Sequence, residues 1–109
     1  MNVNIKTDEN IVIISIEGSI DSKTAGDLQS QIMEKVSETN NVLLDLTKVD
    51  YVSSAGLRVL LMIYRQIKSK NGKVILVGVS EEIRDVMSMT GFINFFEMAD
   101  NIDNALKIF

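Results

Sequence analysis

Two consecutive serines, Ser53 and Ser54, are the hydroxyl residues whose position most favours chemistry. They lie between an apolar segment, residues 42–46, and the start of a long segment with helical apolar periodicity. A hydroxyl at a helix start accepts a hydrogen bond from a backbone N–H group without a helical partner, so one serine is expected to be the N-cap. Gly56 follows in the first turn, where glycine costs about 1 kcal/mol relative to alanine. This indicates either a close approach of the backbone to another group or a tolerated glycine in an ordinary capped start.

A serine hydroxyl at such a position could act as a nucleophile or accept a phosphoryl group. A nucleophilic serine needs a neighbouring base, and the chain contains no histidine and no cysteine. The sequence also lacks the phosphate-binding motifs Gly-x-x-x-x-Gly-Lys-Ser/Thr and Gly-x-Gly-x-x-Gly. A phosphoacceptor needs only an exposed hydroxyl with small neighbours, and Ala55 and Gly56 leave that room beside Ser54. Because a helix N-terminus favours a phosphate, the pattern indicates a regulatory protein rather than an enzyme.

The composition indicates one folded domain, residues 1–109, that binds neither nucleic acid nor membranes. An apolar fraction of 46% and a mean hydropathy of +0.16 are typical of a globular chain. The net charge of −4 and the pI near 4.7 disfavour nucleic-acid binding, which needs a clustered basic surface. No apolar segment reaches membrane-spanning length, and without cysteine there is no disulfide or thiolate metal site. We expect a cytoplasmic protein that uses no cofactor.

The apolar pattern predicts a small α/β domain in which helices pack on a mixed, mainly parallel sheet of about five strands. The elements follow one another as β-β-α-β-α-β-α-β-α. The first two strands are expected to form a hairpin, whereas the third and fourth are joined by a helix and should be parallel, with both faces covered. The expected strands are residues 3–7, 11–17, 42–46, 74–79 and 95–98.

Helical periodicity predicts which side of each helix faces the core. Residues 18–22 are expected to end the second strand and open the first helix, with Asp21 or Ser22 as its N-cap. Met89 is expected to pack in the core as well. The predicted core stripes are Ala25, Leu28, Ile32 and Val36 in the first helix, Leu57, Leu60, Leu61 and Tyr64 in the second, and Ile83, Val86 and Met87 in the third.

The second helix, expected over residues 54–69, is apolar almost all round. Val59, Met62 and Ile63 lie opposite or beside the stripe assigned to the core. Either a second layer covers them or they form a partner surface, although scattered exposed apolar residues are equally common. Arg58 lies close enough to the helix start to contact a phosphate or an acidic partner, unless it is simply solvated.

The segment Val52-Ser53-Ser54-Ala55-Gly56-Leu57, preceded by Asp50, resembles the phosphorylation-site signature of the anti-sigma factor antagonists, the single-domain proteins of the STAS superfamily. That signature is a hydrophobic pair followed by Asp-Ser-(Ser/Thr/Ala)-Gly-Leu, and its first serine is phosphorylated. The resemblance places this serine at Ser54. Ser53 stands where many members carry aspartate and is the lesser candidate. Ile20-Asp21 is similar to an Ile/Leu-Asp pair whose aspartate lies beside the phosphorylated serine.

The resemblance implies a protein-binding switch. The unphosphorylated form would bind an anti-sigma factor that is also a serine kinase and release a sigma factor, phosphorylation of Ser54 would end this binding, and a serine phosphatase would reset it. Two alternatives stay open: a permanent STAS subunit of a larger transport or stress-signalling complex, and a small-ligand binder using a cleft beside Ser54. The oligomeric state is not predicted. The residues expected to contact the partner are Asp21, Ser53, Ala55, Gly56, Arg58, Val59 and Met62.

Overall fold

The computed structural model describes residues 1–109, and its order of elements is the one that the sequence predicts. None of the helices has both the length and the apolar character that crossing a membrane requires. The strands are β1 (Asn2–Asp8), β2 (Ile11–Ile20), β3 (Asn41–Val52), β4 (Lys73–Val77) and β5 (Glu97–Ala99). The helices are α1 (Ala25–Ser37), α2 (Ser54–Ser69), α3 (Glu81–Thr90) and α4 (Ile102–Leu106), with a 3₁₀ turn at Phe92–Phe95.

The five strands form one sheet in the order β1-β2-β3-β4-β5. β1 is antiparallel to β2, and the other three pairings are parallel, which confirms the predicted mixed, mainly parallel sheet. The carboxyl ends of β2 to β5 therefore lie at one edge of the sheet. At this edge Ile20, the last residue of β2, pairs with Val52, the last residue of β3. The segments that follow these two residues are thereby brought together.

The main core lies between one face of the sheet and the helices α1, α2 and α3. Complete burial of one such leucine or isoleucine side chain stabilises the fold by about 1.5–3 kcal/mol. The opposite face is covered in part by α4, whose Ala105 packs with buried residues of β2, β3 and β4. All four residues of the predicted α1 stripe are buried, namely Ala25, Leu28, Ile32 and Val36.

Strands β2 and β3 are both longer than the sequence predicts. The prediction that residues 18–22 end β2 is wrong, because the strand continues through Gly18, at a φ of +105°, as far as Ile20. Similarly, β3 does not end at residue 46 but continues to Val52. The two extensions pair with each other, with shifts of register beside Gly18. Backbone hydrogen bonds between segments far apart in sequence thus sustain strand structure in polar residues.

Helix α2 covers the predicted residues, but its buried side is displaced. Val59 and Ile63, predicted outside the core stripe, are 5% and 0% exposed, whereas Leu61 and Tyr64 are only half-buried. Helix α1 packs against α2 and joins it in the same core cluster. The domain itself therefore covers Val59 and Ile63, although α1 lies beside α2 on the same face of the sheet and is not the second layer that one of the predicted alternatives required. Met62 stays half-buried at its margin.

Two core predictions for α3 are wrong. Val86 is 39% exposed and Met89 is 87% exposed, while Ile83 and Met87 are buried as expected. The predicted last strand is also displaced, because residues 92–95 form the 3₁₀ turn and β5 begins only at residue 97. β5 lies at the edge of the sheet. Apolar periodicity near the C-terminus was therefore a poor guide to burial.

Candidate functional site

Ser53 is the N-cap of α2 and joins it directly to the end of β3. Its backbone is extended (φ −83°, ψ 177°), and its Oγ accepts a hydrogen bond from the Gly56 N–H at 3.3 Å. Its own N–H donates to the Ile20 carbonyl at 2.9 Å, and its carbonyl accepts from the Leu57 N–H at 2.9 Å. Of the two serines that could cap the helix, the structure thus selects Ser53 and ties it to β2.

Ser54 is the first residue of α2 and is exposed. Its hydroxyl makes no hydrogen bond within the protein, in contrast to the Ser53 hydroxyl. The orphan N–H groups of the first turn are satisfied at Gly56 and Leu57 by Ser53. The N–H groups of Ser54 and Ala55 remain available, because a helix start offers them no carbonyl. A group attached to the Ser54 hydroxyl therefore lies beside unpaired donors and the positive end of the helix dipole.

Asp21 caps a turn before α1 rather than α1 itself. Its Oδ1 accepts hydrogen bonds from the N–H groups of Lys23 at 2.9 Å and Thr24 at 3.2 Å. The predicted helix N-cap at Asp21 or Ser22 is wrong, because the N-cap is Thr24, which makes no side-chain cap bond. The Lys23 N–H, followed by the Thr24 N–H and hydroxyl and the Lys23 charge, holds the pKa of Asp21 below its usual value. The carboxylate is therefore ionised at neutral pH.

The register of β2 and β3 places Asp21 beside Ser53, the serine that caps α2. Because Ile20 pairs with Val52, the next residues along the two strands, Asp21 and Ser53, leave the same edge of the sheet. The hydrogen bond from the Ser53 N–H to the Ile20 carbonyl fixes this proximity. Asp21 and Ser53 are the first two of the predicted contact residues that the fold brings together.

Gly56 is required by close packing within the protein. A Cβ atom at this position would lie 2.6 Å from the Ile20 carbonyl oxygen and 2.9 Å from Val52 Cγ1, both shorter than real Cβ contacts. This confirms the interpretation that the glycine permits a close approach of backbone. Gly56 is buried, so it shapes the site by letting α2 approach β2 rather than by presenting a surface.

The other predicted contact residues line a groove of about 240 Å³ between the N-terminal parts of α1 and α2. Val59 is 5% exposed and forms the covered floor, while Ala55, Arg58 and Met62 are more accessible. The sequence did not predict the opposite wall, which α1 supplies through tertiary packing. The groove is lined by Ala25, Gly26 and Gln29 of α1 and by Ala55, Arg58, Val59 and Met62 of α2.

Two residues near the site, Gly26 and Tyr51, were not among the predicted site residues. Gly26 lies in the first turn of α1, and a Cβ atom there would meet nothing within 4 Å, so the fold does not need this glycine. Tyr51 is 56% exposed at the end of β3, three residues before Ser54. A glycine inside a predicted helix and an aromatic residue beside a predicted loop were the available signals.

A larger cavity, of about 420 Å³, lies at the opposite edge of the sheet. It is formed by polar residues around the β1–β2 turn and the segment between α1 and β3, including Asn10, Thr39 and Asn41. It shares no lining residue with the groove beside Ser54. Nowhere in the chain do three or more acidic side chains gather in a way that could hold a metal ion.

The sequence model of the STAS domain family matches residues 2–105 of this chain. The chain belongs to the STAS domain family. BtrV of Bordetella bronchiseptica, assigned as an anti-sigma factor antagonist, is 30% identical to it over 102 residues, which cover 93% of this chain and 88% of BtrV. The anti-sigma-B factor antagonist of Bacillus subtilis is 25% identical over 107 residues, 98% of each protein. Homologues of this STAS domain are thus anti-sigma factor antagonists, which are regulatory binding proteins.

Solved structures share the fold of this STAS domain over nearly all of its length. A Thermotoga maritima protein, assigned as an anti-sigma factor antagonist, superposes with a TM-score of 0.90 at 22% identity, covering 96% of this chain and 92% of its own. The Bacillus cell fate determinant SpoIIAA in its phosphorylated form superposes with a TM-score of 0.77 at 16% identity, covering 97% of each chain. At these identities the likeness establishes the fold.

Proposed function

We propose that this STAS domain is an anti-sigma factor antagonist controlled by phosphorylation of Ser54. The unphosphorylated protein binds an anti-sigma factor that is also a serine kinase, and a sigma factor is released. Transfer of a phosphoryl group to Ser54 ends this binding, and a serine phosphatase restores it. The protein is a binding switch and performs no catalysis of its own. Its homology to antagonists supports the partner class, and the geometry of Ser54 supports the control.

The proposal rests on a difference in hydrogen bonding and exposure between the hydroxyls of Ser53 and Ser54. The Ser53 hydroxyl is engaged with the Gly56 N–H, so its modification would remove the helix cap. The Ser54 hydroxyl is exposed and unengaged one residue later. A kinase can therefore reach Ser54 without disturbing the start of α2. This contrast favours Ser54 over Ser53 by an argument independent of the signature.

Phosphorylation at Ser54 should change the interface and leave the fold intact. The phosphate adds about −1.5 to −2 charges at pH 7, and the helix N-terminus with two free N–H groups favours that charge. SpoIIAA, solved in its phosphorylated form, is an example of this fold carrying the modification. Reducing a partner from about 99% to about 1% bound requires roughly 5.5 kcal/mol of differential affinity. Charge and bulk within a closely packed contact can supply this, whereas a solvated rim contact cannot.

The dimensions of the groove favour a protein partner over a small ligand. Its volume of about 240 Å³ is below the roughly 300–1,000 Å³ of small-molecule pockets. It lies next to Ser54, because Ala55 forms part of its wall. A side chain of the partner that entered the groove would bring the partner surface against the serine. The phosphate would then be placed inside the contact.

The test uses purified protein, the cognate anti-sigma factor kinase and Mg-ATP. We expect intact-mass and site-mapping spectrometry to find one phosphate, on Ser54. Ser54→Ala should resist phosphorylation and bind the kinase constitutively, and Ser54→Asp should bind at least about tenfold more weakly, because a carboxylate supplies part of the phosphate charge. Ser53→Asn is the matched control, since asparagine keeps the helix cap but offers no hydroxyl.

Phosphate on Ser53, or an unchanged affinity of Ser54→Asp, would contradict this mechanism. The same spectrometry on protein isolated from its own cells, grown with and without stress, tests the switch in place. Occupancy of Ser54 that changes with growth condition supports it. Complete absence of phosphate under every condition, together with stable retention in a large complex, would instead favour a permanent STAS subunit.

A further inference from the structure

Ser54 belongs to the exposed face of α2, which continues along the whole helix. At 100° per residue, the positions four, seven and eleven residues after Ser54 lie on its side of the helix. These are Arg58, Leu61 and Arg65, of which the arginines are exposed and Leu61 is half-buried. Lys68, also exposed, and the half-buried Met62 flank this row. We call Arg58, Leu61, Met62, Arg65 and Lys68 the α2 face.

The α2 face is basic in an acidic protein. Helix α2 carries three cations, all on this face, and not one acidic residue. The whole chain has 11 Lys and Arg against 15 Asp and Glu, so the 93 residues outside α2 hold eight cations against 15 acids, a net charge of −7. Such a concentration of charge of one sign beside apolar side chains is typical of a surface that selects its partner electrostatically.

We propose that the α2 face binds an acidic protein surface, which also inserts an apolar side chain into the groove between α1 and α2. This inference rests on the proposed function and names the chemistry of the partner's contact surface. Arg58 and Met62 belong both to the α2 face and to the groove, so the two form one continuous surface. From Ser54 to Lys68 the helix advances about 21 Å. That length suits one patch of a protein–protein interface.

The same geometry explains how a single phosphate can reverse the binding. Ser54 is four residues before Arg58 and therefore its neighbour on the helix surface. A phosphate there lowers the charge of helix α2 from +3 to between about +1 and +1.5 at pH 7. It also places a negative group against the acidic partner and offers Arg58 a competing ion pair. Phosphorylation thereby removes the attraction that we assign to this surface.

A membrane or a nucleic acid would also attract cations, but the charge distribution disfavours both. Recognition of anionic lipid by a helix typically uses clusters of about 4–8 Lys and Arg, and the α2 face has three. The net charge of −7 on the rest of the chain repels any extended polyanion. A protein surface can match three cations locally and present non-acidic groups to Asp21, which lies beside Ser53.

The test compares two triple variants that lose the same net charge. The first is Arg58→Gln/Arg65→Gln/Lys68→Gln on the α2 face. The control, Lys6→Gln/Lys48→Gln/Lys107→Gln, alters three exposed lysines on β1, on β3 and after α4. Affinity for the purified anti-sigma factor kinase is measured at low ionic strength and at about 0.15 M, where screening acts over about 8 Å. Sedimentation with phosphatidylcholine vesicles containing phosphatidylglycerol is measured in parallel.

We expect the α2-face variant to bind the kinase at least about tenfold more weakly and to lose most of the salt dependence of the parent. The control should stay within about threefold of the parent, with the salt dependence kept. Equal affinities of the two variants overturn the acidic-surface proposal and leave the proposed function standing. Failure of the parent to bind the kinase overturns both. Sedimentation of the parent with the anionic vesicles, lost in the α2-face variant, assigns the face to a membrane instead.

Discussion

Helices α1 and α2 both begin at the carboxyl edge of the sheet, after neighbouring parallel strands, yet their first turns are built differently. Four residues separate β2 from α1, and the carboxylate of Asp21 organises that turn. One residue, Ser53, separates β3 from α2 and supplies the cap alone. The short connection places Gly56 against the Ile20 carbonyl of β2, whereas the longer one forms a turn in which the Thr24 hydroxyl donates to the Ser19 carbonyl of β2 at 2.9 Å.

The two glycines in these first turns show the same difference. Gly56 has no room for a Cβ atom, whereas Gly26 has open space around it. The start of α2 is thus fixed by packing, and it presents one free hydroxyl at a defined position. The start of α1 is open and forms the wall of the groove. This combination suits the proposed switch, because a modification on a fixed element would alter the contact without altering the fold.

The largest expected difference is in folding stability, between Gly56→Ala and Gly26→Ala. The methyl group at residue 56 would overlap the Ile20 carbonyl, so the helix has to move, and we expect a loss of about 2 kcal/mol. At residue 26 alanine replaces glycine in an open helical position and should leave stability unchanged or raise it by up to about 1 kcal/mol. Urea denaturation followed by circular dichroism measures both, and equal effects would refute the contrast.

The second difference lies between the two serines, with a smaller effect. Ser53→Ala removes the cap of α2 and should reduce stability by about 1 kcal/mol. Ser54→Ala removes a solvated hydroxyl and should stay within about 0.5 kcal/mol of the parent. Ser53→Asn, which can still accept the Gly56 N–H, should recover most of the loss. A destabilisation that is as large in Ser54→Ala as in Ser53→Ala would mean that Ser54 also supports the helix.

Local patterns in the sequence were sufficient for the order of elements and for the α1 stripe, whereas they left two interpretations of Gly56 open. They failed where distant segments meet. The extension of β3 to Val52 depends on pairing with the end of β2, and the strand-favouring residues within it, Val49, Tyr51 and Val52, were not sufficient to predict it. The burial of Val59 depends on α1, which lies beside α2 only in the folded chain. Periodicity shows that a side of a helix is apolar, but not which neighbours cover it.

The candidate site shows the same limit. The sequence indicated the serines, and the family signature favoured Ser54, but only hydrogen bonding separates an engaged hydroxyl from a free one. The α1 wall of the groove, with Gly26 and Gln29, could not be predicted because it arises from helix packing. Met89 was predicted to pack in the core, yet the fold leaves it 87% exposed.

The smallest expected effect concerns the charge that organises the α1 turn. Because hydrogen bonds from the Lys23 and Thr24 N–H groups hold the pKa of Asp21 below its usual value, ionised Asp21 favours the folded state. This contribution is present above about pH 4, the usual range of an aspartate, and is lost as the pH falls through the lower folded-state pKa. Asp21→Asn keeps an acceptor oxygen but has no charge. The parent should therefore exceed Asp21→Asn in stability at pH 6.5, and the difference should shrink towards pH 3 in urea titrations. Effects of pH on the other titratable groups are common to both proteins and cancel in this comparison. A difference in stability that is independent of pH would show that geometry alone, and not the charge, organises the turn.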